Sequence, residues 1–319
     1  MKEFVCCDWR KDISRKDGYH LAITAGDING VGLEIIGKAL GSGKFESVKF
    51  TIFGPGRALR ETLGDSSAEI FDCGFGNLEI RYGENTAEAG EAAYCALKRA
   101  VEETLGGKYD ALVTAPLSKY SLRLAGYDYP GHTEILKELC AADDVLMMFL
   151  SENMIIGLLT VHIALKRVPE VLTRDLVLSK VKILDWELRD RFGIDEPKIA
   201  LCALNPHGGE SGLFGDEEVN ILRPAAAEAR KMEIDITDPL PADTLFPRME
   251  NYSAAIAVYH DQGLIPAKLA HGGSVNFSGG LPLIRTSPDH GCAFDIAGKG
   301  IADPGGMINA IEWALRLCR

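Results

Sequence analysis

Residues 20–40 read HLAITAGDINGVGLEIIGKAL, in which a β-rich run, a glycine-rich loop and an amphipathic stretch follow one another. The run His20–Thr24 predicts a strand, and residues 33–40 predict a helix that begins directly after the loop. The glycine spacing is G-x-x-x-G-x-G, which differs from the G-x-G-x-x-G fingerprint of dinucleotide-binding folds. Two interpretations stay open: loop amides that approach a ligand near a helix N-terminus, or a tight turn that needs glycine torsions.

Strand-like and helix-like segments alternate through the rest of the chain. Further strands are predicted at residues 48–53, 111–114, 154–160, 198–203 and 254–259. Helices are predicted at residues 87–104, 133–140, 176–192 and 217–232, and Pro224 makes the last of these start late or kink. This alternation predicts an α/β fold with a largely parallel sheet, whose ligands bind where the strands end at their carboxyl side.

Length and composition limit the classes of function. The chain has 319 residues, enough for roughly two domains, and its 46% hydrophobic and 25% charged residues are ordinary for a globular protein. The net charge of −12 argues against a nucleic-acid or anionic-membrane surface, so a bound anion would need a few locally placed cations. No apolar run approaches the ~20 residues of a membrane helix.

The termini and cysteines predict a cytoplasmic protein. Residues 1–18 are polar and mixed in charge, so we expect a weakly ordered extension without the apolar core of a signal peptide. The eight cysteines are scattered and form no C-x-x-C motif, which excludes a zinc ribbon and predicts reduced thiols in a reducing compartment.

Three histidines follow apolar, strand-like runs: His162, His207 and His260. If those strands are neighbours, the three imidazoles meet at one edge of the sheet. Three neutral imidazoles leave positions on a divalent metal open for water or substrate, as in catalytic metal sites. The alternative is that each histidine makes its own hydrogen bonds at a strand end, and the two interpretations weigh about equally on the residues alone.

A cationic group follows the last of these histidines. Lys268, Asn276 and Arg285 lie after or inside apolar stretches, unlike the solvated charges of a helix face. They are candidates for an anion site, because arginine presents a planar donor fork and lysine a point charge to phosphate or carboxylate. The alternative is a buried ion pair with an aspartate such as Asp243 or Asp289. The glycine-rich run at 291–306 is a further candidate, for a cofactor loop.

Seven longer motifs are distributed from about residue 20 to the C-terminus. They are GDINGVGLEI (26–35), VTAPLSK (113–119), GHTE (131–134), NPHGGESGLFGDEE (205–218), PADTLF (241–246), YHDQGLIPAK (259–268) and GLPLIRTSPDHGCAFDIAGKGIAD (280–303). Together, and in this order, they resemble one known family, the 4-hydroxythreonine-4-phosphate dehydrogenases called PdxA.

The resemblance implies a three-layer α/β/α fold like that of isocitrate and isopropylmalate dehydrogenases, with two domains and a cleft between them. We expect residues 19–125 plus 290–319 to form a first α/β domain on the cofactor side. Residues 126–289 would form a second α/β domain that carries the metal, substrate and dimer contacts. The resemblance also implies a homodimer with shared active sites.

The family's site residues carry over position by position. His162, His207 and His260 match the metal ligands, one of which is expected from the partner subunit. The remaining positions are the substrate-binding residues His132, Thr133, Lys268, Asn276 and Arg285, the catalytic residues Asp243, Asp261 and Lys268, and the cofactor-binding residues Gly26, Asp27, Gly30, Asp289 and Asp295.

The implied reaction is a metal-dependent oxidation by NAD or NADP of 4-phosphohydroxy-L-threonine to 2-amino-3-oxo-4-phosphooxybutanoate. Decarboxylation to 3-amino-2-oxopropyl phosphate follows, in pyridoxal phosphate biosynthesis. One divalent metal per site is expected, drawn from Zn, Mg, Mn or Co, because three-histidine sites accept several cations. A bound cation lowers the pKa of the reacting alcohol and stabilises the developing alkoxide and enolate.

Departures from the family pattern leave the exact substrate open. Ile28 and Asn29 replace the commoner Pro-Ala of the first glycine loop, and Ser278 and Gly279 differ from the usual residues before GLP. The alternative is a dehydrogenase of a related phosphorylated hydroxy acid, such as 4-phosphothreonate or 4-phosphoerythronate. Two other classes are an acyl-phosphate transferase, which shares a related fold, and a non-catalytic metal- or phosphate-binding protein.

Overall fold

The computed structural model describes residues 18–64, 66–270 and 273–318. The chain divides into two compact units. Described residues up to 143 together with those from 281 onward form what we call the first unit, and residues 144–280 form the second unit. The extension predicted for residues 1–18 lies, except for Gly18, outside the described residues. The domain bounds predicted after residues 125 and 289 stay predictions.

The strands of the described chain follow one another in this order: β1 (His20–Thr24), β2 (Lys49–Gly54), β3 (Glu69–Asp72), β4 (Ala111–Thr114), β5 (Leu146–Leu150), β6 (Ile155–Leu158), β7 (Lys198–Leu201), β8 (Asp235–Ile236), β9 (Ala254–Ala257), β10 (Val275–Gly279) and β11 (Arg285–Pro288).

The α-helices are α1 (Gly32–Leu40), α2 (Gly56–Leu63), α3 (Ala87–Leu105), α4 (Lys119–Leu124), α5 (His132–Leu139), α6 (Val168–Val171), α7 (Arg174–Asp190), α8 (Arg223–Lys231), α9 (Ala242–Leu245), α10 (His260–Leu269) and α11 (Gly305–Leu317). Short 3₁₀ turns lie at Leu165–Arg167 and Phe246–Asn251, an irregular turn made mostly of left-handed residues lies at Pro206–Gly212, and a π-helical turn lies at Glu218–Leu222.

The first unit contains parallel strands in the order β3-β2-β1-β4-β11. β4 is buried along its whole length, as is β1 beyond His20, because apolar residues occupy both faces of a sheet that helices cover on each side. α3 is rich in alanine, and Gly90 lets it approach α4: a Cβ on Gly90 would lie 2.1 Å from the carbonyl oxygen of Ser121.

The second unit contains strands in the order β10-β5-β6-β9-β7-β8. β6, β9, β7 and β8 are parallel, whereas β5 is antiparallel to both of its neighbours, β6 and β10. The reversal between β5 and β6 is a short turn in which the amide of Ser151 donates to the carbonyl oxygen of Met154 at 2.9 Å. The predicted α/β class is confirmed, and the sheet of this unit is mixed.

Candidate functional site

Parallel neighbours in the second unit bring the histidine-bearing loops together. β9 lies between β6 and β7, with Leu158 paired to Ala257 and Leu201 paired to Ile256. Parallel strands end at the same edge of a sheet. The loops that carry His162, His207 and His260 therefore all leave the sheet at one edge, as expected if the strands are neighbours.

Two of the three imidazoles lie side by side. The ring centroids of His162 and His260 are 5.6 Å apart. Thr160 ties the first loop to the second, because its amide and its hydroxyl both donate to the carbonyl oxygen of Val258, at 3.2 and 2.7 Å. The turn after β6 thus carries His162 back over the start of α10, where His260 is the first helical residue.

The orientation of His260 is set by its neighbour. Nδ1 of His260 lies 2.7 Å from Oδ1 of Asp261, and a carboxylate only accepts hydrogen bonds. In the neutral ring, Nδ1 therefore carries the proton and Nε2 keeps its lone pair. This carboxylate–histidine arrangement is the usual outer-shell support of a metal-binding imidazole.

Gly263 allows α10 to lie directly on the sheet. A Cβ at this position would lie 2.6 Å from Cδ2 of Leu158, 3.1 Å from Cγ2 of Ile156 and 3.2 Å from the Cβ of Ala257. Only glycine leaves room for this approach. The glycine one turn into α10 is thus explained by packing that positions His260.

His207 occupies a different backbone environment. It opens a run of six residues, 207–212, whose φ angles are all positive, at 53, 68, 77, 45, 60 and 98°. Its exposed ring lies 6.4 Å from the ring of Phe214. Across residues 18–64, 66–270 and 273–318, no three His, Cys, Asp or Glu side chains of this single chain are close enough to hold a metal ion.

The other predicted residues of the second unit lie around the same segments. Asp243 is exposed on α9, Asp261 and Lys268 are exposed on α10, and Asn276 is half-buried on β10 opposite Phe149 of β5. Asp261 contacts His260 directly, as described above. The structure gives Asp243 no further distinguishing feature.

The predicted cation of the first unit is buried and held by a hydroxyl. Arg285 begins β11 and is only 2% exposed. Its Nε and Nη2 donate to Oγ1 of Thr114 at 3.1 and 2.6 Å. Burial lowers the pKa of Arg285 to about 9, because desolvation disfavours the charged guanidinium. An anion bound against this group would reverse that effect.

His132 and Thr133 lie half-buried in the first turn of α5. Burial, and then the positive charge of Arg285, lower the pKa of His132 well below its usual value of 6.5. The imidazole is consequently neutral at physiological pH. A neutral imidazole and a guanidinium therefore share one electrostatic environment, which suits a polar anionic ligand.

The glycine loop 26–30 packs against protein backbone. A Cβ on Gly26, whose φ is +66°, would lie 2.1 Å from the carbonyl oxygen of Pro116, and one on Gly30 would lie 2.8 Å from Cβ of Cys292. Asp27 is fully buried, and its Oδ1 accepts a 3.0 Å hydrogen bond from the amide of Asn29. Desolvation raises the pKa of the Asp27 carboxyl. The positive φ of Gly26 and the close packing of both glycines account for their presence, and their role in cofactor binding stays a prediction.

The last predicted cofactor residues lie on an irregular segment between β11 and α11. Asp289 is half-buried, and Asp295 is exposed, with its carbonyl oxygen accepting from Nζ of Lys299 at 2.6 Å. Neither position is tested further by the structure.

Two residues near Arg285 and His132 were not singled out from the sequence. Thr114 ends β4 and accepts both guanidinium bonds, and Lys119 opens α4 with its Cε 3.5 Å from the position of a Cβ on Gly131, beside His132. Both lie in or beside VTAPLSK, a motif that carried the resemblance. The sequence feature that could have indicated both residues is the group of polar side chains in this motif, at the end of a buried strand.

Comparison with known proteins decides the family. A family model described as "Pyridoxal phosphate biosynthetic protein PdxA" matches residues 38–314. The chain belongs to the PdxA family. A 4-hydroxythreonine-4-phosphate dehydrogenase of Sulfurihydrogenibium sp. (strain YO3AOP1) is 40% identical over 316 residues, which cover 94% of this chain and 98% of that protein. The resemblance inferred from the motifs is thereby confirmed.

Other relatives of this PdxA-family chain agree on a dehydrogenase and differ in the substrate named. A Bradyrhizobium diazoefficiens protein, provisionally named D-threonate 4-phosphate dehydrogenase, is 41% identical over 333 residues, covering 93% of this chain and 96% of that protein. The crystal structure of 4-hydroxythreonine-4-phosphate dehydrogenase from Klebsiella pneumoniae superposes with a TM-score of 0.85 at 36% identity. It covers 95% of this chain and 100% of that one.

Membership of the PdxA family makes this chain an oxidoreductase of the dehydrogenase type. Among the described helices, none combines the length and the apolar character that crossing a membrane requires.

Proposed function

We propose that this chain oxidises 4-phosphohydroxy-L-threonine with NAD or NADP to 2-amino-3-oxo-4-phosphooxybutanoate, which then loses carbon dioxide to give 3-amino-2-oxopropyl phosphate. The reaction removes a hydride from the carbon that bears the hydroxyl group and a proton from the oxygen. The resulting β-keto acid decarboxylates readily because its electrons pass to the new carbonyl group. The observation that carries the proposal is the His162–His260 pair in a chain of the PdxA family.

The donor set fits a divalent metal. Imidazole suits several first-row cations, and Nε2 of His260 is available because Asp261 holds the proton on Nδ1. His162 and His260 would hold the ion, and His207 would complete the set from the partner subunit. When bound, the ion would lower the pKa of the substrate hydroxyl and stabilise negative charge on its oxygen.

The chain's own residues have separate tasks in this proposal. Arg285, held by Thr114, and the neutral His132 bind anionic and polar groups of the substrate together with Thr133, Lys268 and Asn276. Asp261 orients His260, whereas Asp243 and Lys268 are assigned to proton transfer. Gly26, Asp27, Gly30, Asp289 and Asp295 are assigned to the nicotinamide cofactor.

We propose a homodimer with shared active sites in the cytoplasm. Large apolar side chains are exposed on the same segments that carry the three histidines, and several exposed apolar side chains beside one site favour a protein interface there. Their exposed fractions are 65% for Leu165, 72% for Leu213, 50% for Phe214, 62% for Ile265 and 82% for Leu269. A partner-supplied His207 would need such an interface beside the His162–His260 pair.

The name of one relative supports a second candidate substrate. The 41% identical Bradyrhizobium protein is named for D-threonate 4-phosphate, which lacks the amino group of 4-phosphohydroxythreonine and carries a hydroxyl instead. Oxidation of the C3 hydroxyl of this substrate would likewise leave a β-keto acid.

The test measures NADH or NADPH absorbance at a fixed metal concentration, with 4-phosphohydroxythreonine and 4-phosphothreonate compared in parallel. We expect faster turnover of 4-phosphohydroxythreonine. Faster turnover of 4-phosphothreonate would instead favour the second candidate substrate. If neither is oxidised, the substrate class is wrong. His207→Ala is expected to abolish metal-dependent reduction without unfolding the protein, and full turnover by this variant in chelator-treated buffer would contradict the metal assignment.

A further inference from the structure

The turn that carries His207 has an unusual backbone. Residues 207–211 all adopt the left-handed conformation, although His207, Glu210 and Ser211 have side chains that disfavour it. Successive left-handed residues persist only where surrounding contacts hold them. Something in the second unit must therefore stabilise this turn.

Glu217 and Glu218 both reach this segment: Oε2 of Glu217 accepts from Nδ2 of Asn205 at 2.7 Å, and Glu218 makes the larger set of contacts. The carboxylate of Glu218 is fully buried, and Oε1 accepts hydrogen bonds from the amides of Leu204 and Asn205, each at 2.8 Å. Oε2 accepts from Nδ2 of Asn205 at 2.9 Å. One carboxylate thus fixes the residues at which the chain leaves β7 and enters the turn.

The same carboxylate lies against the turn itself. A Cβ on Gly209 would lie 2.6 Å from Oε2 of Glu218, so Gly209 and the carboxylate are in close contact. Glu218 therefore touches the chain on both sides of His207. In the sequence, His207 lies between Asn205 and Gly209, and Glu218 contacts both of them.

The sequence explains why Glu218 is buried here. Pro224 lies at the start of α8 and has no N–H for the preceding turn, and a π-helical turn at Glu218–Leu222 widens the helix before it. Glu218 opens this wide turn and is buried, whereas Glu217 is half-buried and Val219 is exposed. Such turns are frequent near functional sites.

We propose that Glu218 is a positioning residue for His207: it holds the left-handed turn so that the imidazole is presented in the orientation a metal requires. This inference rests on the proposed function, in which His207 is a metal ligand. Glu218 itself acts only through backbone and side-chain hydrogen bonds.

The test compares Glu218→Gln with Glu187→Gln in the full-length protein. A glutamine at 218 can still accept both backbone amides, but its NH₂ group faces the Nδ2 donor of Asn205. Glu187 is the matched control, because it is also fully buried in the second unit and also accepts a backbone amide, that of Gly280 at 2.6 Å. Any effect of losing a buried carboxylate in general appears in both variants.

The first readout is Co²⁺ affinity, measured by titration of the visible absorption of the bound ion. Glu218→Gln is expected to weaken Co²⁺ binding about tenfold or more, within the range for outer-shell residues of metal sites, and Glu187→Gln to leave it unchanged. An unchanged affinity in Glu218→Gln, or an equal loss in both variants, would overturn the inference.

The second readout needs no metal. Hydrogen exchange of the apo protein is expected to accelerate across residues 204–215 in Glu218→Gln and to match wild type there in Glu187→Gln. Adding Glu210→Gly to Glu218→Gln should recover part of the Co²⁺ affinity, because glycine adopts a φ of 45° without a steric penalty. Unaltered exchange, or no recovery, would contradict a role in holding the turn.

His207→Ala distinguishes a failure of the Glu218 inference from a failure of the assignment of His207 as a metal ligand. If His207→Ala loses Co²⁺ binding and Glu218→Gln does not, the inference is wrong and the metal assignment stands. If His207→Ala binds Co²⁺ as wild type does, the assignment of His207 as a ligand is wrong and the inference falls with it.

Discussion

His162 and His260 come from different strands, yet their ring centroids lie only 5.6 Å apart. The parallel pairing of β6 with β9 produces this proximity, and the bonds from Thr160 to Val258 maintain it. Asp261 then holds the proton of His260 on Nδ1. The pair is therefore oriented before any ligand arrives, which is the property expected of a metal-binding site.

Asp261→Ala should weaken Co²⁺ binding by about tenfold, because the proton of His260 then has no acceptor and the ring can rotate. Asp261→Asn should lose less affinity, since its amide oxygen can still accept from Nδ1. Absorbance titration measures both variants. Asp235→Asn, which removes an exposed charge on β8, controls for net charge, and equal effects in all three variants would show that charge alone matters.

Much of the fold follows from the sequence pattern. Strands at residues 20–24 and 111–114 have the predicted bounds, because these short β-rich runs end two residues before Gly26 and Pro116. β5 was not predicted, since its five consecutive apolar residues carry no period. Its antiparallel direction depends on the Ser151–Met154 turn, which is a tertiary detail that local pattern does not reveal.

The candidate site could be predicted only in part. The three histidines could be proposed because each follows an apolar run, but the order β6-β9-β7 that makes them neighbours is not contained in any one segment. Thr114 and Glu218 matter through hydrogen bonds to residues that are not their neighbours in the sequence. Glu218 carries no local signal that marks it out, and Thr114 carries only its place in the polar VTAPLSK motif at the end of a buried strand.

Thr114→Val should remove the hydroxyl that orients the buried guanidinium of Arg285. Removing the hydroxyl leaves the Arg285 Nε and Nη2 donors without this acceptor, which should cost about 1–3 kcal/mol of unfolding free energy. The KM for the phosphorylated substrate should rise about tenfold, since Arg285 loses its fixed orientation. Urea unfolding and NADH absorbance measure the two effects.

Thr286→Val is the matched control for this change. Thr286 is the next residue of β11 and equally buried, but its hydroxyl donates to the carbonyl oxygen of Ala310 at 2.8 Å. It should lose stability while keeping the wild-type KM. An identical rise in KM for both variants would contradict a specific role of the Thr114–Arg285 contact.

His132 should make the folded protein acid-sensitive. Burial and the charge of Arg285 lower its pKa in the folded state, so below pH 6.5 the unfolded chain binds a proton that the folded chain does not. The free energy of unfolding should therefore fall as the pH drops through that region. His132→Asn should flatten this slope in urea unfolding measured at several pH values.

The titration can also be followed directly. The imidazole resonance that His132→Asn removes from the NMR spectrum should not titrate near pH 6.5. Saturating inorganic phosphate should raise its pKa, because an anion beside Arg285 offsets the positive charge that acts on His132. An ordinary titration, unaffected by phosphate, would contradict the proposed electrostatic coupling.

Gly263→Ala and Gly37→Ala should have opposite effects on stability. A methyl group at 263 meets Cβ of Ala257, which is fixed to the strand backbone, and Cγ2 of the fully buried Ile156, so α10 must move at a cost of about 1–3 kcal/mol. At 37, inside α1, the nearest atoms lie 3.9 Å away, and alanine should stabilise the helix by about 0.5–1 kcal/mol. Urea unfolding measures both changes. Because α10 carries His260, only Gly263→Ala should also weaken Co²⁺ binding, and a stabilising Gly263→Ala would show that α10 does not need this close approach.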